Sequence, residues 1–215
     1  MNRDANAGAA AWVPVGGGIN ELAGAVHACR GCELWRPATQ AVFGAGASPA
    51  ALMLVGEQPG DREDLAGEPF VGPAGGVLDR ALAAAGIGSE TIYLTNAVKH
   101  FRFEERGKRR IHKTPAVGHV TACAPWLDAE LDAVNPAVVV CLGATAARAV
   151  FGRTAAVGRE RGRLQSARGR RAMITAHPSG ILRIREPGER AQAFDSLVAD
   201  LRAAAEAARA EPKDR

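Results

Sequence analysis

Ala51-Leu-Met-Leu-Val-Gly-Glu-Gln-Pro-Gly60 is an unbroken apolar run that stops at a glycine and continues into a Gly/Pro turn. Five apolar residues without polar alternation describe a strand buried on both faces, the habit of parallel sheets covered by helices. Three further stretches read the same way: Thr91-Ile-Tyr-Leu-Thr95, Pro136-Ala-Val-Val-Val-Cys-Leu142 and Ala172-Met-Ile-Thr-Ala176. Helical segments separate them. Pro73 stands where a first helical turn tolerates proline, and Val77, Leu78, Ala81 and Leu82 give that helix one apolar face. Residues 115–133 read as helical despite Pro125, as do 144–151, 189–210 and, upstream, 19–28. Alternating strands and helices predict an α/β fold with a central four-stranded parallel sheet and helices on both faces.

In such folds ligands lie beyond the carboxyl ends of the strands. Three of the four strands end in candidate polar motifs: Gly56-Glu57-Gln58, Thr95-Asn96 and His177-Pro178-Ser179. With 215 residues, 47% of them hydrophobic, the chain is most economically a single domain over 19–210. Residues 1–18 are expected to be a disordered lead-in and 211–215 a flexible tail. No run approaches the roughly 20 apolar residues that span a bilayer, and Met1–Gly18 lacks the pattern of a secretory leader. A cytoplasmic monomer is expected, in which four cysteines argue for metal or redox chemistry over disulfides. A net charge of +4 is compatible with a polyanionic partner without requiring one. Local clustering says more: Arg102 to Lys113 holds six Lys/Arg against Glu104 and Glu105.

Each motif has a plain reading beside a functional one. Gly56 to Asp61, with Gly60 and Pro59, is an ordinary strand-to-loop turn or a set of backbone N–H donors aimed at a base carbonyl. Phe70, alone among small residues in Gly67-Glu-Pro-Phe-Val-Gly-Pro-Ala-Gly75, is a core anchor or a platform for a flipped-out base. Asn96 is a loop residue, or an amide whose donor and acceptor match the O4 and N3–H edge of uracil; cytosine reverses that pattern. Cys29-x-x-Cys32 is a good half-site for a metal or cluster. Cys141 lies in a buried strand and suits a small hydrophobe better than a ligand. Lys108, Arg109, Arg110 and Lys113 are a solvated basic loop that meets phosphate.

Together and in this order, these residues resemble the uracil-DNA glycosylases that carry an iron–sulfur cluster. The resemblance runs from about Glu21 to Arg202. Lys108-Arg-Arg-Ile-His112 and Gln58 resemble the X-type branch of that group, in which the loop histidine becomes covalently joined to DNA. The fold implied is the three-layer α/β/α sandwich of those enzymes. The resemblance further implies a uracil pocket formed by Gly56, Gln58, Gly60, Asp61, Phe70, Asn96 and His177. His112, Glu57 and His177 would be catalytic, and Lys108, Arg109, Arg110, Lys113 and Ser179 would contact uracil-containing DNA, single- or double-stranded. It implies a [4Fe–4S] cluster held by Cys29, Cys32, His100 and Cys123, with His100 standing where relatives carry a third cysteine; Cys₃His is also a normal zinc set. Arg109 and Arg110 are expected to keep His112 neutral by repulsion. The alternatives are a turnover glycosylase that releases abasic DNA, and a non-catalytic iron–sulfur module that binds DNA or serves redox chemistry.

Overall fold

In a computed structural model, which describes residues 8–210, the strands in chain order are β1 (Ala45–Gly46), β2 (Leu52–Gly56), β3 (Ile92–Asn96), β4 (Phe103–Arg106), β5 (Arg109–His112), β6 (Val138–Leu142), β7 (Leu164–Ala167) and β8 (Arg170–Thr175). The helices are α1 (Ile19–Ala25), α2 (Asp61–Ala66), α3 (Pro73–Ala85), α4 (Val117–Val134), α5 (Ala144–Phe151), α6 (Val157–Glu160), α7 (Pro178–Arg183) and α8 (Pro187–Arg209). The main sheet has the order β1-β3-β2-β6-β8-β7. Its four central strands are parallel, and they are the four read from the sequence. The sheet nevertheless has six strands, because β1 and β7 pair antiparallel at its edges. Two residues of β1 and the half-exposed β7 carry too little apolar pattern to be read as strands.

Every residue of β2 and β6 is buried, and their side chains divide between two cores. Met53, Val55, Val139 and Cys141 pack with Leu22 of α1, Trp126 and Leu127 of α4 and Ala146 of α5. Leu52, Leu54, Val138, Val140 and Leu142 pack with Leu78 of α3, Ile181 of α7 and Leu197 and Leu201 of α8. Successive strand residues face opposite ways, so a strand between two helical layers must be apolar throughout. The result is the expected three-layer sandwich. Its register sets Gly56 beside Asn96 and Leu142 beside Thr175, so the strands end side by side along one edge.

Two expectations need correction. Of the lead-in placed at 1–18, residues 1–7 lie outside the described residues, as does the 211–215 tail, but the segment from Gly8 is packed. Ala9 is buried and donates its N–H to Ala122 O at 2.7 Å. It fits because Gly31 has no side chain; a Cβ there would lie 2.7 Å from the Ala9 Cα. The second concerns the basic loop, which is a two-stranded ribbon: β4 pairs with β5, Arg106 opposite Arg109 and Phe103 opposite His112. Gly107 carries the positive φ that such a two-residue turn requires. Among the described residues no helix is long and apolar enough to cross a membrane.

Candidate active site

Glu57 and Gln58, directly after β2, line a cavity of about 880 Å³ at the carboxyl edge of the sheet, together with Phe70 and Asn96, which cover Gly56. Only glycine serves at position 56. A Cβ there would stand 2.3 Å from Asn96 Oδ1 and 2.7 Å from Phe70 Cζ, so ring and amide close over the bare backbone. Phe70 has a φ of 60°, a conformation that a bulky residue holds only when its surroundings impose it. Gly75 does part of this, its Cα lying against the Phe70 carbonyl. Glu63 does more: its carboxylate accepts from Gly72 N–H at 2.8 Å and Gly60 N–H at 3.1 Å, joining the Phe70 loop to the Gly56–Gly60 loop. Glu63 was legible only as the third helical residue after Gly60, the spacing of a capping box.

Asn96 is buried, and its carboxamide makes no hydrogen bond among the described residues. Its backbone is fixed from behind. Lys99 Nζ donates to Asn96 O at 2.8 Å and Thr95 Oγ1 at 2.7 Å and pairs with Glu130, both charged side chains fully buried. Glu130 also accepts from Tyr93 Oη, Thr95 Oγ1 and Gly44 N–H. A buried ion pair with its hydrogen bonds satisfied holds the strand end rigidly, so the amide meets a ligand in one orientation.

Across the cavity, Glu57 lies between two histidines. Its Oε1 stands 3.3 Å from His112 Nε2, and its Oε2 accepts from Thr145 Oγ1 at 2.5 Å. Burial pushes the Glu57 carboxyl up, but bonds from His112 and Thr145 and the nearby His112 and His177 rings outweigh it, holding the group below the usual carboxylate range. His112 is half-exposed at the mouth. His177 caps α7: its Nδ1 accepts from Ser179 N–H at 3.1 Å and lies 2.9 Å from Ser179 Oγ. Burial, and to a lesser extent Arg183 and His112, push its pKa down to about 4 against the pull of Glu57. The ring is therefore neutral at physiological pH, and with Nδ1 accepting, its proton is on Nε2. Thr145 carries no distinctive mark in the sequence, since Gly143-Ala-Thr145 directly after β6 reads as an ordinary strand-to-helix turn.

The hairpin redistributes roles expected from charge alone. Gln58 lines the cavity, and its amide donates to Arg102 O and Lys113 O and accepts from Arg102 N–H, pinning both feet of the ribbon. Arg110 is not free for phosphate. It donates to Asp61 Oδ1 and to Asp64 Oδ2, each at 2.6 Å, and its guanidinium lies over the rings of Phe101 and Phe103. Asp61 is thus occupied by Arg110, whose charge is met by two carboxylates. Lys113 pairs with Glu104 at 2.6 Å, and Ser179 serves His177. Lys108 and Arg109 remain exposed, as phosphate contacts require.

Cys29, Cys32 and Cys123 are all buried and free. Burial pushes the Cys123 thiol up to about 12, with Lys99 opposing and Cys32 and Cys29 adding lesser upward effects, which places three sulfurs in one neighbourhood. Trp126 Nε1 donates to Cys29 Sγ at 3.2 Å and Lys99 N–H to Cys123 Sγ at 3.3 Å, the kind of support thiolate ligands receive. His100 is buried with no side-chain hydrogen bond among the described residues; burial first, then Arg30, push its pKa down to about 4, leaving a neutral imidazole. Among the described residues no group of three or more His, Cys, Asp or Glu side chains is arranged to hold a metal ion. Burial alone pushes the Cys141 thiol up.

A family model described as the uracil DNA glycosylase superfamily matches residues 43–202. Three proteins named Type-4 uracil-DNA glycosylase are similar: 37% identical over 62% of this chain in Archaeoglobus fulgidus, 35% over 59% in Sulfurisphaera tokodaii, and 36% over 74% in Thermotoga maritima. The matched stretch spans 63% and 54% of the first two relatives and 81% of the third. With the sandwich, the Gly56–Asn96–Phe70 floor and the His177-Pro-Ser edge in one match, the chain belongs to the uracil-DNA glycosylase superfamily.

Proposed function

We propose that this protein excises uracil from DNA and then becomes joined to the sugar through His112. The observation that carries the second half is the ring of His112 standing 3.3 Å from Glu57 at the cavity mouth, on a hairpin that Gln58 and Arg110 clamp in place. A flipped uracil stacks on Phe70 and meets the unpaired amide of Asn96, whose N–H₂ suits O4 and whose oxygen suits N3–H. As the C1′–N1 bond breaks, its electron pair leaves with uracil, and the His177 Nε2–H donates to the oxygen on which charge gathers. The sugar is left with oxocarbenium character at C1′. The His112 nitrogen that Glu57 does not hold gives its lone pair to C1′. Glu57 takes up the proton from the other nitrogen, so the product is a neutral alkylated imidazole with no easy return.

Cys29, Cys32, His100 and Cys123 would hold a [4Fe–4S] cluster, in keeping with their burial, their N–H···S bonds and the neutral imidazole. Bound there, the group supplies a cross-link between the Cys29–Cys32 loop, the exit of β3 and α4. Exposed Lys108 and Arg109 suit a DNA backbone.

A turnover reaction that releases abasic DNA is the second reading, favoured by the names of the relatives. Incubation with uracil-containing single-stranded DNA followed by a denaturing gel separates the two. A heat- and denaturant-resistant band whose peptide map places DNA on His112 is the expected result. Free abasic product alone would establish the second reading, and unreacted DNA would refute both.

A further inference from the structure

We propose that Thr145 is a positioning residue for the capture step, its hydroxyl fixing the Glu57 carboxylate so that the second oxygen holds the His112 ring. This rests on the covalent reading above. A carboxylate turns easily about its last bond, and a histidine 49% exposed on a hairpin is free to swing unless its partner is fixed. The two Glu57 oxygens are divided: Oε2 takes the Thr145 hydroxyl at 2.5 Å, and Oε1 is left for His112 at 3.3 Å.

The element that delivers Thr145 is built to do so. Gly143 has a φ of 87°, which turns the chain sharply from β6 into α5, and a Cβ there would stand 3.0 Å from the His177 Cβ. The turn is therefore pressed against the β8–α7 junction, and its N–H is tied to Thr175 O at 2.9 Å. Thr145 follows two residues later in the first turn of α5, close to the end of the helix that favours a carboxylate. Glu57 is thus faced by His112 from β5, His177 from the β8–α7 junction and Thr145 from α5.

Thr145→Val keeps the shape and removes the donor, and Thr145→Ser keeps the donor. In single-turnover time courses with uracil-containing DNA, uracil release and adduct formation are measured separately from pH 4 to 8. For Thr145→Val, adduct formation should slow about 10- to 100-fold, and uracil release by a few-fold at most. Abasic DNA would then build up ahead of the adduct. Without the Thr145 bond the Glu57 carboxyl protonates at higher pH, so the acid limb of capture should move upward. Thr145→Ser should restore both rate and pH profile. Equal slowing of release and capture with an unmoved pH profile, or capture at the wild-type rate, would overturn the proposal. A wild-type protein that releases uracil without forming an adduct overturns the covalent reading itself, and that result is visible before any variant is compared.

Discussion

At the residue scale, the proposed chemistry is divided between groups that would read the base and groups that would meet the sugar. With Asn96 as the proposed reader, Asn96→Asp should lower uracil excision on the order of 10- to 100-fold, because the donor to O4 becomes an acceptor. Equal rates on uracil-containing DNA would remove Asn96 from the pocket. With His112 as the proposed nucleophile towards the sugar, His112→Gly should lose the denaturant-resistant band and gain abasic product, since water then fits beside C1′. His177 adds a prediction about stability. Its ring protonates near pH 6.5 in the unfolded chain but only near 4 when folded, burial being the main cause. The unfolded state therefore binds more protons across that window, and stability present above pH 6.5 is lost as pH falls towards 4. Thermal unfolding at pH 7.5 and 5 should show wild type losing on the order of 1 kcal/mol more than His177→Asn, which keeps the helix cap. Asn96, Phe70, His112 and His177 were legible because each sits at the end of a strand or in a loop that breaks an apolar pattern. Glu63, beyond its capping-box spacing, and Thr145 were not, since their value lies in which loop or carboxylate they meet.

At the scale of elements, the β4–β5 ribbon is held by its undersurface. Arg110 joins it to Asp61 and the fully buried Asp64 of α2, and Gln58 holds its two feet. Arg110→Ala should lower stability by about 1–3 kcal/mol and slow capture more than uracil release, as the His112 strand loosens. Its neighbour Arg109 is exposed and should behave oppositely. Arg109→Ala should leave the melting temperature unchanged while weakening DNA binding and flattening its salt dependence. If the two variants behave alike, the division of labour is wrong. The sequence announced the positive charge of this segment but read it as one loop with one purpose. It carried no mark of the ribbon beyond Gly107, because β4 and β5 are mostly polar and their pairing is with each other alone.

For the whole molecule, two cores back a single working edge. One of them contains Cys29, Cys32 and Cys123 together with Tyr93 of β3, the strand whose last residue, Asn96, lines the cavity. Cys123→Ser should reduce iron content from roughly four per chain and bleach the visible absorbance, whereas Cys141→Ala should leave both intact. The reverse result would move the fourth ligand into β6. What the sequence determined by itself was the parallel core of the sandwich: four apolar runs, their helices and three of the polar strand ends. These follow from local pattern, since a strand buried on both faces has to be apolar at every position. What only the tertiary structure decided was the partner of each charge. Arg109 and Arg110 are adjacent in the chain and alike in chemistry, but neighbouring residues on a strand point to opposite faces. One therefore reaches solvent, and the other reaches carboxylates 46 and 49 residues away.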